Sequence, residues 1–313
     1  HMVLDECMIN ASLVRAVVDR EYKRVDWMDP EISGDSEFLQ KFVRTLGKII
    51  RDEGSTKAND GPNKIKLRSF INNVLDGFAT PPEGIDQLRK RSVLVQAAIL
   101  SVEVPKEVAD AVAFGYAEIC REAGEDNVPV AVRSSAAGED SRKKAFAGLQ
   151  DTYLNMNGPE QVVTAYHWDC ASAYNLRSMT YRREAILDAI AKGEETGDEE
   201  MVLNAKKEWA IENTSLSVCL MRMINPMISG TAFSADTATG CRGTDRNDLG
   251  SIDVSYGLGE AGVGGLVTPD NSSVLQRDDG TEVVIRQMSC KAVKIVSAPG
   301  GGTTPVPLPD HER

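Results

Sequence analysis

Apolar residues recur at three- and four-residue spacing over 11–22 and again over 36–51, which predicts two amphipathic helices, the second opening with Ser36 as its cap. The polar run from Asp52 to Asn63 has the composition of a loop or linker. Helical spacing returns over 65–75, is broken by Asp76-Gly77-Phe78-Ala79-Thr80-Pro81-Pro82, and resumes over 84–100 and 105–123. Residues 128–133 alternate in polarity and predict a strand. Gly158-Pro159 introduces one long helix through 160–192, and the charged and small residues of 192–207 predict a solvated helical excursion or loop. From Leu216 the pattern turns strand-rich, at 216–224, 230–235, 251–256, 273–276, 282–286 and 292–296. The Gly/Pro-rich residues after Gly300 are expected to be loose. A helical beginning joined to a later mixed sheet predicts an α+β chain with a cleft between lobes.

Composition narrows the classes. A chain of 313 residues with 42% apolar and 26% charged residues has the make-up of an ordinary globular protein of about two domains. Its 35 basic and 47 acidic side chains leave a net charge of −12. That disfavours a general nucleic-acid or anionic-membrane surface while leaving room for one local basic pocket for a phosphate ligand. No run approaches the ~20 apolar residues of a membrane span, and the start lacks a basic-then-apolar leader pattern. A cytoplasmic protein is expected, with His1-Met2 read as an expression remnant. Cys7, Cys120, Cys170, Cys219, Cys241 and Cys290 are scattered without a CxxC pair, so neither a disulfide framework nor a zinc site is expected. The histidines are His1, His167 and His311; His167 lies in an amphipathic helical stretch and reads as a packed or surface helix residue.

Four segments carry candidate chemistry. In Val132-Arg133-Ser134-Ser135-Ala136-Ala137-Gly138-Glu139-Asp140 a strand delivers an arginine into small hydroxylated and flexible residues. A guanidinium fork suits phosphate oxygens, and small residues let backbone N–H groups approach an anion. The second segment runs from Phe146 through Gly148, Asp151 and Thr152 to Asn155, with Gly148 fifteen residues after Arg133, the spacing of a hairpin returning over one site. The third spans Asn225 to Gly240 and reads equally as a turn between two strands. The fourth, Tyr256 to Asp270, places five glycines in nine residues around Glu260. Such a glutamate either holds Mg²⁺ or a ligand amine or caps the following helix.

In this order the stretches "VAVRSSAAGED", "FAGLQDTYLN", "SGTAFSADTATG" and "YGLGEAGVGGLVTPD" resemble the N-terminal nucleotide-binding part of the phosphoenolpyruvate synthase and pyruvate phosphate dikinase family. Fainter echoes are "DGFATPPEGIDQL", "RSMTYR" at Arg177–Arg182 and "RQMSCKAVKIV", so the likeness covers about 60–296. The family also includes rifampin phosphotransferase and phenylphosphate synthase, the latter with its nucleotide-binding part on a polypeptide separate from the histidine-bearing one.

The resemblance implies an ATP-grasp-like α+β fold: a helical N-terminal part, with mixed β-sheet lobes enclosing a nucleotide cleft. Its expected division is a helical extension at 1–55, a first lobe with a helical insertion at 56–215, a second lobe at 216–299 and a flexible tail at 300–313. It implies Mg·ATP as the bound species. The β-phosphoryl would pass to a histidine on a swivelling partner domain or subunit, leaving AMP and phosphate. That histidine would then serve a small acceptor bound elsewhere, such as phenol or pyruvate. Carried over, Arg133 holds the ATP phosphates, Gly148 closes its backbone over them, Thr152 contributes its hydroxyl or backbone, Met221 lies at the adenine-side hinge, and Glu260 faces the phosphate end.

Three departures bear on this. The family's Gly-Gly-Lys motif is here Gly61-Pro62-Asn63-Lys64-Ile65-Lys66, so Lys64 is the expected phosphate lysine with Lys66 competing. Met221 stands where a glutamine is common. The family's closing "DIEW…QxRP" segment, with its Mg²⁺-binding carboxylates, is not in the sequence, so no metal ligand is assigned. The competing class is a non-catalytic ATP-grasp-like module with a binding or regulatory role.

Overall fold

Residues 93–100 are apolar at every position but Gln96, as expected of a helical stretch with no solvent face. The computed structural model, which describes residues 7–27, 29, 32, 36–56, 64–78, 84–136, 148–208, 216–235, 247–263, 265–277 and 282–309, makes that stretch the centre of a helical unit. Two units are distinguished, 1–153 with 158–221, and 154–157 with 222–313.

The first unit runs through β1 (Met8–Asn10), α1 (Ala11–Tyr22), α2 (Ser36–Thr56), β2 (Lys64–Lys66), α3 (Leu67–Leu75), α4 (Ile85–Ser101), α5 (Lys106–Ala123) and β3 (Val130–Ala136). After β4 (Thr152–Met156), which leads out of this unit, come α6 (Gly158–Ser172), α7 (Leu176–Thr196), α8 (Glu199–Glu208) and β5 (Leu216–Arg222). Helices α1, α2, α3, α6 and α7 all pack on α4, whose residues from Ser92 to Leu100 are buried throughout. Local signals set the helix ends. Asn10 Oδ1 accepts from the Leu13 N–H at 3.0 Å to start α1, and Gly124 ends α5 in the left-handed region at φ 68°.

In the second unit β6 (Ile228–Phe233), β7 (Asn247–Tyr256), β8 (Asp270–Arg277) and β9 (Glu282–Gln287) form an antiparallel sheet in sequence order. A short α9 (Glu260–Val263) follows β7, and β10 (Val293–Ser297) pairs antiparallel with β11 (Thr303–Pro307). Leu258, Ala261, Val267 and Ile295 make a small core beneath α9. Gly257 adopts φ 76°, and a Cβ there would lie 2.3 Å from the Ile295 carbonyl oxygen, so close backbone approach and dihedral angle both require glycine.

The α+β class is observed, and several elements differ from expectation. The helix expected over 65–75 begins as β2, because Ile65 pairs with Ile9 and the backbone of Lys64–Lys66 is taken by β1. The single helix expected through 160–192 is two, since Asn175 leaves helical geometry to cap α7, accepting from the Ser178 N–H at 2.8 Å. Residues expected as a loose tail include β11, and Leu308 is buried. The N-terminal helices are not a separate extension in packing terms: Val14, Val17, Val18, Val43, Leu46 and Ile50 share one core with Phe70, Leu88 and Val95. The Ser36 side chain lies outside the described residues. Among the described residues no helix is long and apolar enough to cross a membrane.

Candidate functional site

Strand β3 is the middle of a three-stranded sheet ordered β4-β3-β5. Its Val130 and Val132 are fully buried, and the alternation of a strand then presents Arg133 outward. Its guanidinium Nη1 stands 4.0 Å from the sulfur of Met221 on β5, and no carboxylate among the described residues pairs with it. Thr152 is the exposed first residue of β4. Three of the expected site residues therefore lie on adjacent strands of one sheet, two of them in contact.

Gly148 precedes β4 at φ 75°, and a Cβ on it would meet nothing within 4 Å. The glycine is demanded by its left-handed backbone rather than by packing. The segment behind it is anchored. Asn175 Nδ2 and Ser178 Oγ donate to the Leu149 carbonyl at 2.8 and 3.1 Å, and Arg177 Nη2 donates to Asp151 Oδ1 at 2.8 Å. Burial raises the Asp151 carboxyl above its ordinary pKa, against the opposing pull of Arg177 and Arg44. Asp169 is fully buried and pushed up to about 8, mainly by desolvation, with the Ser172 hydroxyl opposing and the nearby Asp151 charge adding to the rise.

Lys64 and Lys66 stand apart from that sheet, on β2, which pairs with β1. Two residues apart on a strand, both side chains take the same face, so a slip between them would not move the charge to the other side. Glu260 belongs to the second unit. It opens α9, is exposed, and its Oε2 accepts from the Thr303 hydroxyl at 2.8 Å. Of the two readings left open for it, the hydrogen bond observed for this carboxylate goes to Thr303. A carboxylate keeps further lone pairs when one oxygen is so used, so the exposed Glu260 retains oxygen donors able to meet a cation. Among the described residues no group of three or more His, Cys, Asp or Glu is placed to hold a metal by itself.

His167 is buried, its Nε2 lies 2.9 Å from the Ile99 carbonyl, and burial lowers its pKa. It is a packing histidine, as its burial against α4 requires. Gly61-Pro62-Asn63, Gly138-Glu139-Asp140, Phe146-Ala147, Asp236 to Gly240, Gly264, His1, Cys241 and His311 lie outside the described residues.

Sequence reasoning missed Asn155. It is buried at φ 56°, its side chain donates to the Ala298 and Gly302 carbonyls at 2.8 Å each, and its own carbonyl accepts from the Gly302 N–H at 3.2 Å. The only signal was the residue type, Asn, which besides Gly is the one that tolerates left-handed backbone. Thr303 was missed with it, because its stretch reads as loose by composition.

A protein-family model described as "Pyruvate phosphate dikinase, AMP/ATP-binding domain" matches residues 6–313. The chain belongs to this family. A probable phosphoenolpyruvate synthase of Pyrococcus horikoshii is 32% identical over 248 residues, covering 78% of this chain and 26% of that protein. The phosphoenolpyruvate synthase of Pyrococcus furiosus is 30% identical over 275 residues, 86% of this chain and 30% of its own length. A rifampicin phosphotransferase of Streptomyces sviceus is 32% identical over 232 residues, 74% of this chain and 22% of its own. The chain spans about a quarter of the length of these curated relatives. As a member of the pyruvate phosphate dikinase AMP/ATP-binding family, it includes its N-terminal helices in the match, which begins at residue 6.

Proposed function

We propose that the chain is the Mg·ATP-binding component of a dikinase-type phosphotransferase, an ATP-grasp arrangement with lobes at 56–215 and 216–299. The observation that carries this is Arg133. In a chain of net charge −12 it is an exposed arginine on a central strand with a thioether as neighbour and no carboxylate paired to it among the described residues. An exposed guanidinium on the strand next to the one that a left-handed glycine turn leads into is equipped to receive phosphate oxygens. Family membership supports the same ligand.

In this reading Arg133 neutralises phosphate charge, the Gly148–Thr152 backbone closes over it, and Lys64, or Lys66 in its place, adds a second cation. Met221 borders the adenine side, where backbone groups do the recognising. Glu260, oriented by Thr303, would hold Mg²⁺ at the phosphate end, where the metal would supply charge neutralisation. Such chemistry depends on positioning and electrostatics more than on covalent participation. The β-phosphoryl of ATP passes to a histidine on a partner domain or subunit, AMP departing from one side while water takes the γ-phosphoryl as free phosphate. The phosphohistidine then serves a small acceptor such as phenol or pyruvate. His167 takes no part, since its ring is buried against Ile99. A cytoplasmic setting belongs to the same proposal.

A second reading, a non-catalytic ATP-grasp-like module, is favoured by Met221, which is 47% exposed at the place of a side chain able to hydrogen-bond adenine. Calorimetric titration tests the first reading. Wild type is expected to bind ATP, and folded Arg133→Ala to bind it about 1.5–3 kcal/mol more weakly, the range for a hydrogen bond to a charged group. Equal affinity in the two proteins would remove Arg133 from the phosphate site. Transfer of label from β-labelled ATP to an added histidine-bearing partner separates the catalytic from the non-catalytic reading.

A further inference from the structure

The "RSMTYR" stretch has no part in the proposed function, yet its first residues meet the expected phosphate segment. Three consecutive positions at a helix boundary, Asn175, Leu176 and Arg177, precede Ser178, and three of these four hold residues 149–151. Asn175 uses both ends of its amide: Oδ1 caps α7 through the Ser178 N–H, and Nδ2 donates to the Leu149 carbonyl, each at 2.8 Å. The Ser178 hydroxyl, 1% exposed, donates to the same carbonyl at 3.1 Å. Arg177 meets the Asp151 carboxylate at 2.8 Å, while the Asp151 N–H donates to Ser172 Oγ at 3.4 Å from the end of α6. Arg44 brings a second cation near Asp151, held 3.9 Å over the Trp168 ring and 5.2 Å over that of Tyr153. Thus Leu149 and Asp151 are tied down, while Gly148 at φ 75° and the exposed Thr152 remain open on either side.

These anchoring groups do not themselves form a nucleotide pocket. The cavity beside them, bordered by Asp151, Asn175, Leu176 and Arg177 and also by Gln96, has a volume of about 40 Å³. That admits a few waters, each needing roughly 10–15 Å³, and falls far below the about 300 Å³ at which small-molecule pockets begin. Their effect must pass through the segment they hold.

We propose that the start of α7 is a positioning clamp, in which Arg177, Asn175 and Ser178 hold Leu149 and Asp151 so that the Gly148–Thr152 backbone keeps its anion-accepting shape before a phosphate arrives. The clamp rests on the reading that this segment meets ATP phosphates. Its physical value is preorganisation: donors already aimed at the site of charge need no ordering when the ligand binds. Breaking the 175–177 anchors should therefore loosen four or five residues without unpacking α4, α6 or α7.

The test uses the full chain with two independent variants. Asn175→Asp keeps a cap oxygen and loses the donor to Leu149; Arg177→Met keeps an apolar stem and loses the Asp151 pair. Arg177→Lys serves as the conservative rescue. Amide exchange over 148–152 is expected to accelerate at least tenfold in the first two variants, with α6 and α7 protected as in wild type. ATP affinity should fall at least tenfold, adenosine affinity should stay unchanged, and Arg177→Lys should recover part of both effects. Wild-type exchange at 148–152 in both variants would overturn the clamp, as would ATP and adenosine affinities falling together. If wild type fails to bind ATP, the functional reading falls, and the exchange measurement alone decides whether the clamp exists.

Discussion

Asp169 has no exposed surface, and its Oδ2 lacks a hydrogen-bond partner among the described residues, so its charged form is strongly disfavoured. Folded, it holds its proton up to about pH 8; in the unfolded chain it would release it near pH 4. Between those values the folded state binds the extra proton, so this contribution to stability is full below about pH 4 and declines as pH rises to about 8. Asp169→Asn keeps a neutral, similarly shaped group without the titration. Variant-minus-wild-type unfolding free energy should therefore grow from pH 5 to pH 8, by up to about 1.4 kcal/mol per pH unit, and level off above. Urea melts at several pH values measure it, and a pH-independent difference would mean that Asp169 is already ionised in the folded protein. Single residues of this kind were only partly legible in the sequence. Arg133 and Gly148 stood out because an arginine ending a strand and a glycine in a turn are local signals. Asp169 reads as a polar helix position until its neighbours are known.

At the scale of elements, α4 shows how packing overrides local preference. Gly47 lies inside α2, where alanine would be the better helix former by about 1 kcal/mol. A Cβ there would stand 2.6 Å from Leu100 Cβ and 3.0 Å from the Leu100 carbonyl carbon on α4. The crossing of α2 and α4 needs the missing side chain, and overpacking of this kind costs about 1–3 kcal/mol. Gly47→Ala should thus lower the urea midpoint with an unchanged denaturant slope; a midpoint at or above wild type would show that the two helices can part at no cost. Helix periodicity found α1, α4 and α5 almost to the residue because each shows its buried stripe or apolar surround in consecutive residues. It ran α6 and α7 together because the break at Asn175 serves a carbonyl 26 residues away. It took 65 and 66 for helix because the partner that makes them part of a strand, Met8–Asn10, is over fifty residues earlier.

Across the whole chain, the first 55 residues bear on stability as much as on any partner. Val14, Val17, Val18, Val43, Leu46 and Ile50 are each at most 5% exposed in the common core. Burying one such side chain stabilises by about 1.5–3 kcal/mol, so the six together are comparable with the whole folding margin of about 5–15 kcal/mol. A chain of residues 56–313 is expected to lose its cooperative thermal transition; an unchanged transition would restore the view of these helices as a detachable extension. By itself the sequence determined the α+β class, most helices and strands, the acidic balance, and four ordered motifs that name the family. These are properties written in neighbouring residues, where side-chain periodicity and turn chemistry act over one or two turns. Tertiary structure alone decided that Arg133 meets Met221 from 88 residues away, that Asn155 pins a hairpin near residue 300, and that Thr303 orients Glu260. Each of those joins groups far apart in the chain, and which distant groups meet is set by the packing of whole elements rather than by any local pattern.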